Sequence, residues 1–354
     1  MINIVRTLLL CLPSSSIGSP LEISTSDVLP PPPPLIQAES RNLLRPYAGD
    51  VVYEGTVGST GVSLAMLCRA RGYLAHICMP NDQSLEKSSL LSKLGAAISQ
   101  VPPAPIVSPN QFVNLARRLA ETHSDPPGSR GFFADQFESE ANYTAHYKST
   151  GPEIYRQCGG CLDAFVAGAG TGGTISGVAR YLRPLLPNLR IVLADPQGSG
   201  LYNKIKYGVM FSPTEKEGTR RRQQVDTIVE GIGLNRVTAN LSAGYPLIDD
   251  AIRVTDEEAM AMARFLVEKD GLFLGSSSAV NCFAALKLAK ELGPGHRIVT
   301  ILCDSGTRHL SKFWKNMEVG AAGDMEVGDV LTAGGSRAFV EIAKHAREDL
   351  PAVK

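Results

Sequence analysis

The chain has 354 residues, 44% of them hydrophobic, with 35 basic and 35 acidic side chains and a formal net charge of zero. That length and apolar content allow two domains with ordinary buried cores. The balanced charge argues against nucleic acid as a partner, and no apolar run reaches the about 18 residues that a membrane-spanning helix needs.

Residues 1–35 hold one early basic side chain, Arg6, a short apolar run, a serine cluster and then Pro30–Pro34. Consecutive prolines favour an extended polyproline segment, so this lead is expected to be disordered. Its faint likeness to an organelle presequence leaves cytoplasm or mitochondrion as the compartment. Globular patterning starts near Ile36. From there strands and helices alternate: strand 51–53, helix 61–71, strand 74–79, helix 85–94, helix 112–121 and a strand-like stretch at 131–137. The second half repeats the rhythm with strand 162–167, helix 174–183, strand 191–194, helix 256–268, strand 272–274, helix 279–291 and strand 298–302. Such alternation predicts α/β layers with largely parallel sheets. The chain is divided accordingly into a smaller α/β domain over 36–133 and a larger one over 134–316. An extension over 317–354 follows, with one amphipathic helix at 337–349 and no assigned chemistry.

Seven cysteines are scattered through the chain and read as small core residues of a reducing compartment. Cys158-Gly-Gly-Cys161 has the CxxC form, but no second pair and no neighbouring histidine completes a ligand set, so no metal is expected.

Four turns from strand to helix carry the polar chemistry. In "VAGAGTGGTISG", residues 166–177, Gly168, Gly170 and Gly173 form G-x-G-x-x-G, and Asp195 follows the next strand. A glycine turn that opens a helix aims backbone N–H groups at one spot and attracts an anion. A dinucleotide, another phosphate cofactor or no ligand at all remain open at this point. "EGTVGSTG", residues 54–61, sets Thr56, Ser59 and Thr60 at a second helix N-terminus, where a carboxylate is the natural guest. "LFLGSSSAVN", residues 272–281, lines up Ser276, Ser277 and Ser278, more hydroxyls than one N-cap requires. "ILCDSGTRHL", residues 301–310, supplies Asp304, Ser305, Gly306 and Thr307. All four turns follow strands in the same sense and are expected at the carboxyl ends of the sheets, where α/β crevices lie.

With these loops in order, the chain resembles the cysteine synthase branch of the fold-type-II pyridoxal-phosphate enzymes over roughly 36–316. "MPNDQSLEKSSLLSKLGA" (79–96) is similar to MPxxxSxEKxxxLxxLGA, "HYKSTGPEIY" (146–155) to HxxTTGPEIW, and "CDSGTRHLS" (303–311) to PDSGERYLS. "GTGGT" (170–174) is identical to the family's phosphate loop, and "EGIG" (230–233) also matches. The resemblance implies two open twisted α/β domains of the tryptophan synthase β-like fold, N-terminally incomplete, a homodimer, and a small amino-acid substrate. It implies that Gly170, Thr171, Gly172, Gly173 and Thr174 hold the phosphate of pyridoxal phosphate, which removes a ribose role from Asp195. Thr56, Ser59, Thr60 and Gln136 fall on the groups that grip the substrate α-carboxylate, and Ser277 on the serine facing the pyridine nitrogen. Where the family reads TSGNTG this chain reads TVGSTG. Ser59 thus replaces the asparagine that bonds the cofactor's ring oxygen and the substrate.

The family's chemistry depends on a lysine that holds the cofactor as a Schiff base, in a segment like NPxGSxKDR upstream of the carboxylate loop. This chain has no lysine before Lys87. Serines and prolines stand where that segment belongs, and "IQAESRNLLRPYAGD" (36–50) resembles the helix end that comes after the family's lysine. Lys87 reads as a surface charge. No catalytic residue is therefore assigned, the cofactor is expected to bind non-covalently at best, and the missing preceding strands are expected to leave a sheet edge unpaired. Two explanations stand: a lead drawn from another start, with cysteine synthase chemistry in the complete form, or a lysine-free protein that keeps the fold for partner binding. A cystathionine β-synthase-like enzyme is a further alternative.

Overall fold

The computed structural model describes residues 6–11, 23–25, 33–56, 58–81, 85–104, 106–211, 227–315 and 317. Strands β1 (Arg6–Cys11) and β2 (Ile23–Thr25) precede helix α1 (Pro33–Ser40). A four-stranded parallel sheet follows, in the order β5-β4-β3-β6, from β3 (Val51–Gly55), β4 (Leu74–Pro80), β5 (Ala97–Val101) and β6 (Gly131–Phe133). Helices α2 (Ser59–Ala70), α3 (Leu85–Lys93) and α4 (Phe112–Glu121) connect these strands. Strand β3 lies between two parallel neighbours and is buried along its whole length, as its unbroken run Val51-Val52-Tyr53 predicts. The Gln111 side chain caps α4 by accepting from the N–H groups of Val113 and Asn114.

Helices α5 (Ala141–Lys148) and α6 (Thr150–Gln157) lead into a second sheet. Its parallel part holds β7 (Ala164–Gly168), β8 (Arg190–Pro196), β9 (Asp250–Val254) and β10 (Arg297–Leu302), ordered β10-β7-β8-β9. Helices α7 (Gly173–Leu182), α8 (Leu201–Tyr207), α9 (Ala239–Ser242), α10 (Asp256–Asp270) and α11 (Ser276–Leu292) accompany it. A capping box between Thr255 and Glu258 starts α10, and Gly271 at φ 66° stops it. Helix α11 is buried on nearly all sides from Ser276 to Ala289, and Ala279, Ala284, Ala285 and Ala289 let neighbouring elements approach it closely.

Three expectations change here. The lead is not without regular structure: β1 runs antiparallel to β10, from Arg6 opposite Leu302 to Cys11 opposite Arg297, and β2 pairs with β1. That ladder satisfies the backbone of the β10 edge that was expected to be bare. Helix α1 also begins inside the proline run, because a proline in the first turn has no N–H to lose. The expected strand at 272–274 reduces to one bridge, Leu274 with Ser305. The helix expected at 337–349 lies outside the described residues.

Candidate functional site

Parallel strands bring their carboxyl ends to one side, so the turns after β3, β7 and β10 gather near one another, with the head of α11 beside them. The turn after β7 is shaped by three glycines. Gly172 sits at φ 85°, and a Cβ there would stand 2.6 Å from the Leu241 Cβ. A Cβ on Gly170 would lie 2.1 Å from the Gly231 carbonyl oxygen, and one on Gly173 lies 2.1 Å from Asn142 Oδ1. Side chains are thus excluded on the packed side, while Gly170, Thr171 and Thr174 keep partial exposure at the N-terminus of α7. Thr171 Oγ1 accepts from Asn142 Nδ2 at 2.9 Å and from the Gly173 N–H at 3.3 Å. Thr174 Oγ1 lies 3.2 Å from His146 Nε2, whose Nδ1 reaches Thr150 Oγ1 at 3.0 Å. Burial brings the His146 pKa down to about 4, so the neutral ring offers one donor and one acceptor to these two hydroxyls.

In the turn after β3, Thr60 Oγ1 donates to Gln136 Oε1 at 2.7 Å, and Gln136 Nε2 donates to the Gly55 carbonyl at 3.2 Å. Thr56 is buried, its N–H bonded to the Cys78 carbonyl at 3.0 Å and its Oγ1 accepting from the Gly58 N–H at 3.4 Å. Ser59 Oγ donates to Asp304 across the cleft between the two sheets. The hydroxyl that replaces the family's asparagine thus finds a partner in the turn after β10. Glu54, fully buried on β3, accepts from the Gln136 N–H at 3.3 Å through Oε2, and its Oε1 has no partner. Burial is the largest influence on Glu54 and raises its pKa to about 8.

The three serines at the head of α11 divide the work. Ser276 Oγ accepts from the Glu230 N–H at 2.9 Å, and Ser278 Oγ accepts from the Cys303 N–H at 2.8 Å. Ser277 is buried beside the Cys303 thiol, which burial pushes up to about 11 and out of nucleophilic range. One turn on, Asn281 Oδ1 accepts from the Gly168 N–H at 2.8 Å and Nδ2 donates to the Ile301 carbonyl at 2.8 Å. This pins α11 to β7 and β10.

Two asparagines outside the sequence expectations tie the loops together. Asn142 Nδ2 reaches the Gln136 carbonyl at 2.8 Å as well as Thr171, so one side chain joins the proposed carboxylate and phosphate loops. Asn240 Nδ2 holds the carbonyls of Gln136 at 3.1 Å and Phe137 at 2.7 Å. Neither has a local signal, because the Asn142 bond to Thr171 spans 29 residues and the two Asn240 bonds span 104 and 103. The segment Glu230–Gly233 lies against the β7 turn, with the Gly233 N–H donating to the Ala169 carbonyl at 2.9 Å. Burial works against the Glu230 carboxylate, but the His309 hydrogen bond and the Lys87 charge outweigh it and bring its pKa down to about 2. Among the described residues no His, Cys, Asp and Glu cluster could hold a metal ion, and no helix is long and apolar enough to cross a membrane.

A helix N-terminus opened by glycines, with two partly exposed threonines beside it, suits a single phosphate monoester. None of the four loops contains a lysine. A family model for pyridoxal-phosphate dependent enzymes matches residues 35–304. The chain is 67% identical over 308 residues to cysteine synthase 2 of Emericella nidulans, a match that covers 84% of this chain and 72% of that protein. It is 62% identical over 280 residues to cysteine synthase 2 of Schizosaccharomyces pombe, covering 78% and 71%. The crystal structure of O-ureido-L-serine synthase superposes with a TM-score of 0.69 at 29% identity, over 82% of this chain and 83% of that one.

Proposed function

The chain belongs to the pyridoxal-phosphate dependent enzymes, in their cysteine synthase branch with the tryptophan synthase β-like fold, and on that premise we propose that it serves β-replacement on an activated serine. The substrate in this reading is O-acetylserine or a related ester, with sulfide as the incoming nucleophile and cysteine as the product. The observation that carries the reading is the Asn142 side chain, which joins a phosphate-type loop to the Thr60–Gln136 loop. Gly170, Thr171, Gly172, Gly173 and Thr174 hold the cofactor phosphate through backbone N–H groups and hydroxyls. Ser277 faces the pyridine nitrogen without imposing a charge on it. Thr56, Ser59, Thr60 and Gln136 bind the α-carboxylate and fix the α-carbon relative to the ring. Pyridoxal phosphate, when bound, supplies the electron sink for that carbon. The amine that moves the α-proton is the one role the four loops leave unfilled.

A second reading is a protein of the same fold that binds cofactor and amino acid and acts through a partner. A cystathionine β-synthase-like exchange ranks behind both, since the 67% identity is to a cysteine synthase. The compartment in this reading is the cytoplasm or the mitochondrion. The test combines the protein with pyridoxal phosphate, O-acetylserine and sulfide, measures cysteine, and maps any borohydride-fixed adduct by mass spectrometry. Cysteine formation with a single modified lysine supports the enzymatic reading. Binding of cofactor and serine without product or adduct supports the second, and failure to bind the cofactor refutes both.

A further inference from the structure

Lys87 does not behave as the surface charge its sequence context predicts. It projects from α3, beside the four-stranded sheet, and its Nζ lies 2.6 Å from Glu230 Oε1 on the other side of the cleft. Both side chains are mostly buried, at 18% and 16% exposure, so solvent screens the pair only in part. Glu230 Oε2 lies 3.3 Å from His309 Nδ1, and the Glu230 N–H donates to Ser276, the neighbour of Ser277. The next residue, Gly231, places its carbonyl oxygen directly against Gly170, where a methyl group could not fit. Glu230 therefore joins an element of the smaller sheet, held through its carboxylate, to the head of α11 and the phosphate loop, met by its own backbone and that of Gly231. His309 stands where the resembled segment carries a tyrosine, so the third arm of this contact is a side chain that can carry charge.

We propose that Lys87 is a positioning residue: acting through Glu230, it holds α3 closed over the cleft and seats the Glu230–Gly233 segment on the phosphate loop. The Ser59–Asp304 contact also ties the turn after β3 to the turn after β10. The proposal rests on the reading of these loops as a site for cofactor and amino acid, but the closure itself is independent of catalysis. It also gives Lys87 a task other than holding the cofactor, because its ammonium is committed to Glu230.

A mutant cycle on the full chain tests this, with Lys87→Met, Glu230→Gln and the double variant. Two readouts are used, the radius of gyration by small-angle scattering and the affinity for L-serine in the presence of pyridoxal phosphate. Each single variant is expected to enlarge the particle and to weaken L-serine binding about tenfold, with the double variant no worse than either. Lys87→Arg keeps the charge and is expected to bind within about twofold of the parent. Effects that multiply to about a hundredfold in the double variant, unchanged size and affinity in the singles, or a Lys87→Arg variant as weak as Lys87→Met would each overturn the proposal. If the parent fails to bind L-serine, the site reading fails, and the scattering half of the cycle still decides the closure.

Discussion

Replacing Glu54 by glutamine should stabilise the protein, and by an amount that depends on pH. In the unfolded chain this carboxyl titrates near 4.5, whereas burial in β3 raises it to about 8. Between those values the unfolded chain releases a proton that the native state must keep. Stability therefore falls as pH rises, by about 1.4 kcal/mol per unit for this group, with an upper limit of about 5 kcal/mol by pH 8. Relaxation and water penetration around a buried carboxylate lower the figure, so we expect Glu54→Gln to gain about 1–5 kcal/mol at pH 8. Below pH 4.5 the gain should vanish, because both states of the parent are then protonated. The amide oxygen can still accept from the Gln136 N–H, as Oε2 does in the parent. Urea unfolding at pH 5, 6.5 and 8 measures this, followed through Trp314, the sole tryptophan, which is buried and donates to the Leu274 carbonyl. A gain of equal size at all three pH values would refute the reasoning, as would a loss of stability at pH 8.

Asn142→Ala removes the bonds to the Gln136 carbonyl and Thr171 together, and should cost about 1–3 kcal/mol of stability while weakening pyridoxal phosphate binding about tenfold or more, read by thermal melts and calorimetric titration. The serines of α11 should separate into ligand and scaffold. Ser278→Ala strands the Cys303 N–H and should cost about 1–3 kcal/mol with little effect on cofactor affinity. Ser277→Ala should leave stability within about 0.5 kcal/mol but weaken the cofactor several-fold, and the same melts and titrations check both. Homodimerisation, proposed from family resemblance, predicts about twice the 37.8 kDa chain mass in light scattering after size exclusion, and a monomer would refute it.

Helix α4 was legible residue for residue, because its apolar positions repeat at helical spacing and no glycine or proline interrupts them. Strands β3, β7 and β10 were legible as short apolar runs. Helices α5 and α6 were not, since Asn, Thr, His and Tyr crowd the first and Gly151-Pro152 stands near the start of the second. Strands β5 and β9 hid behind half-exposed residues that blur the alternation, and the stretch 272–274 read as a strand although only Leu274 finds a bridge.

For the site, local chemistry was enough to mark the turns, since GTGGT, EGTVGSTG and the three serines stood out by composition at strand-to-helix junctions, while the ligand of the glycine turn came only from the family resemblance. What those turns bind to one another was decided only in the folded chain. Gln136 meets Thr60, Asn142 spans two loops, and Glu230 collects Lys87 and His309 across separations of up to 143 residues. The lead shows the same limit, since its pairing with β10 depends on an open sheet edge nearly 300 positions away. Periodicity and turn chemistry act over a few residues and are written in the sequence. A hydrogen bond or ion pair between distant segments depends on where packed sheets carry them, and only tertiary structure specifies that.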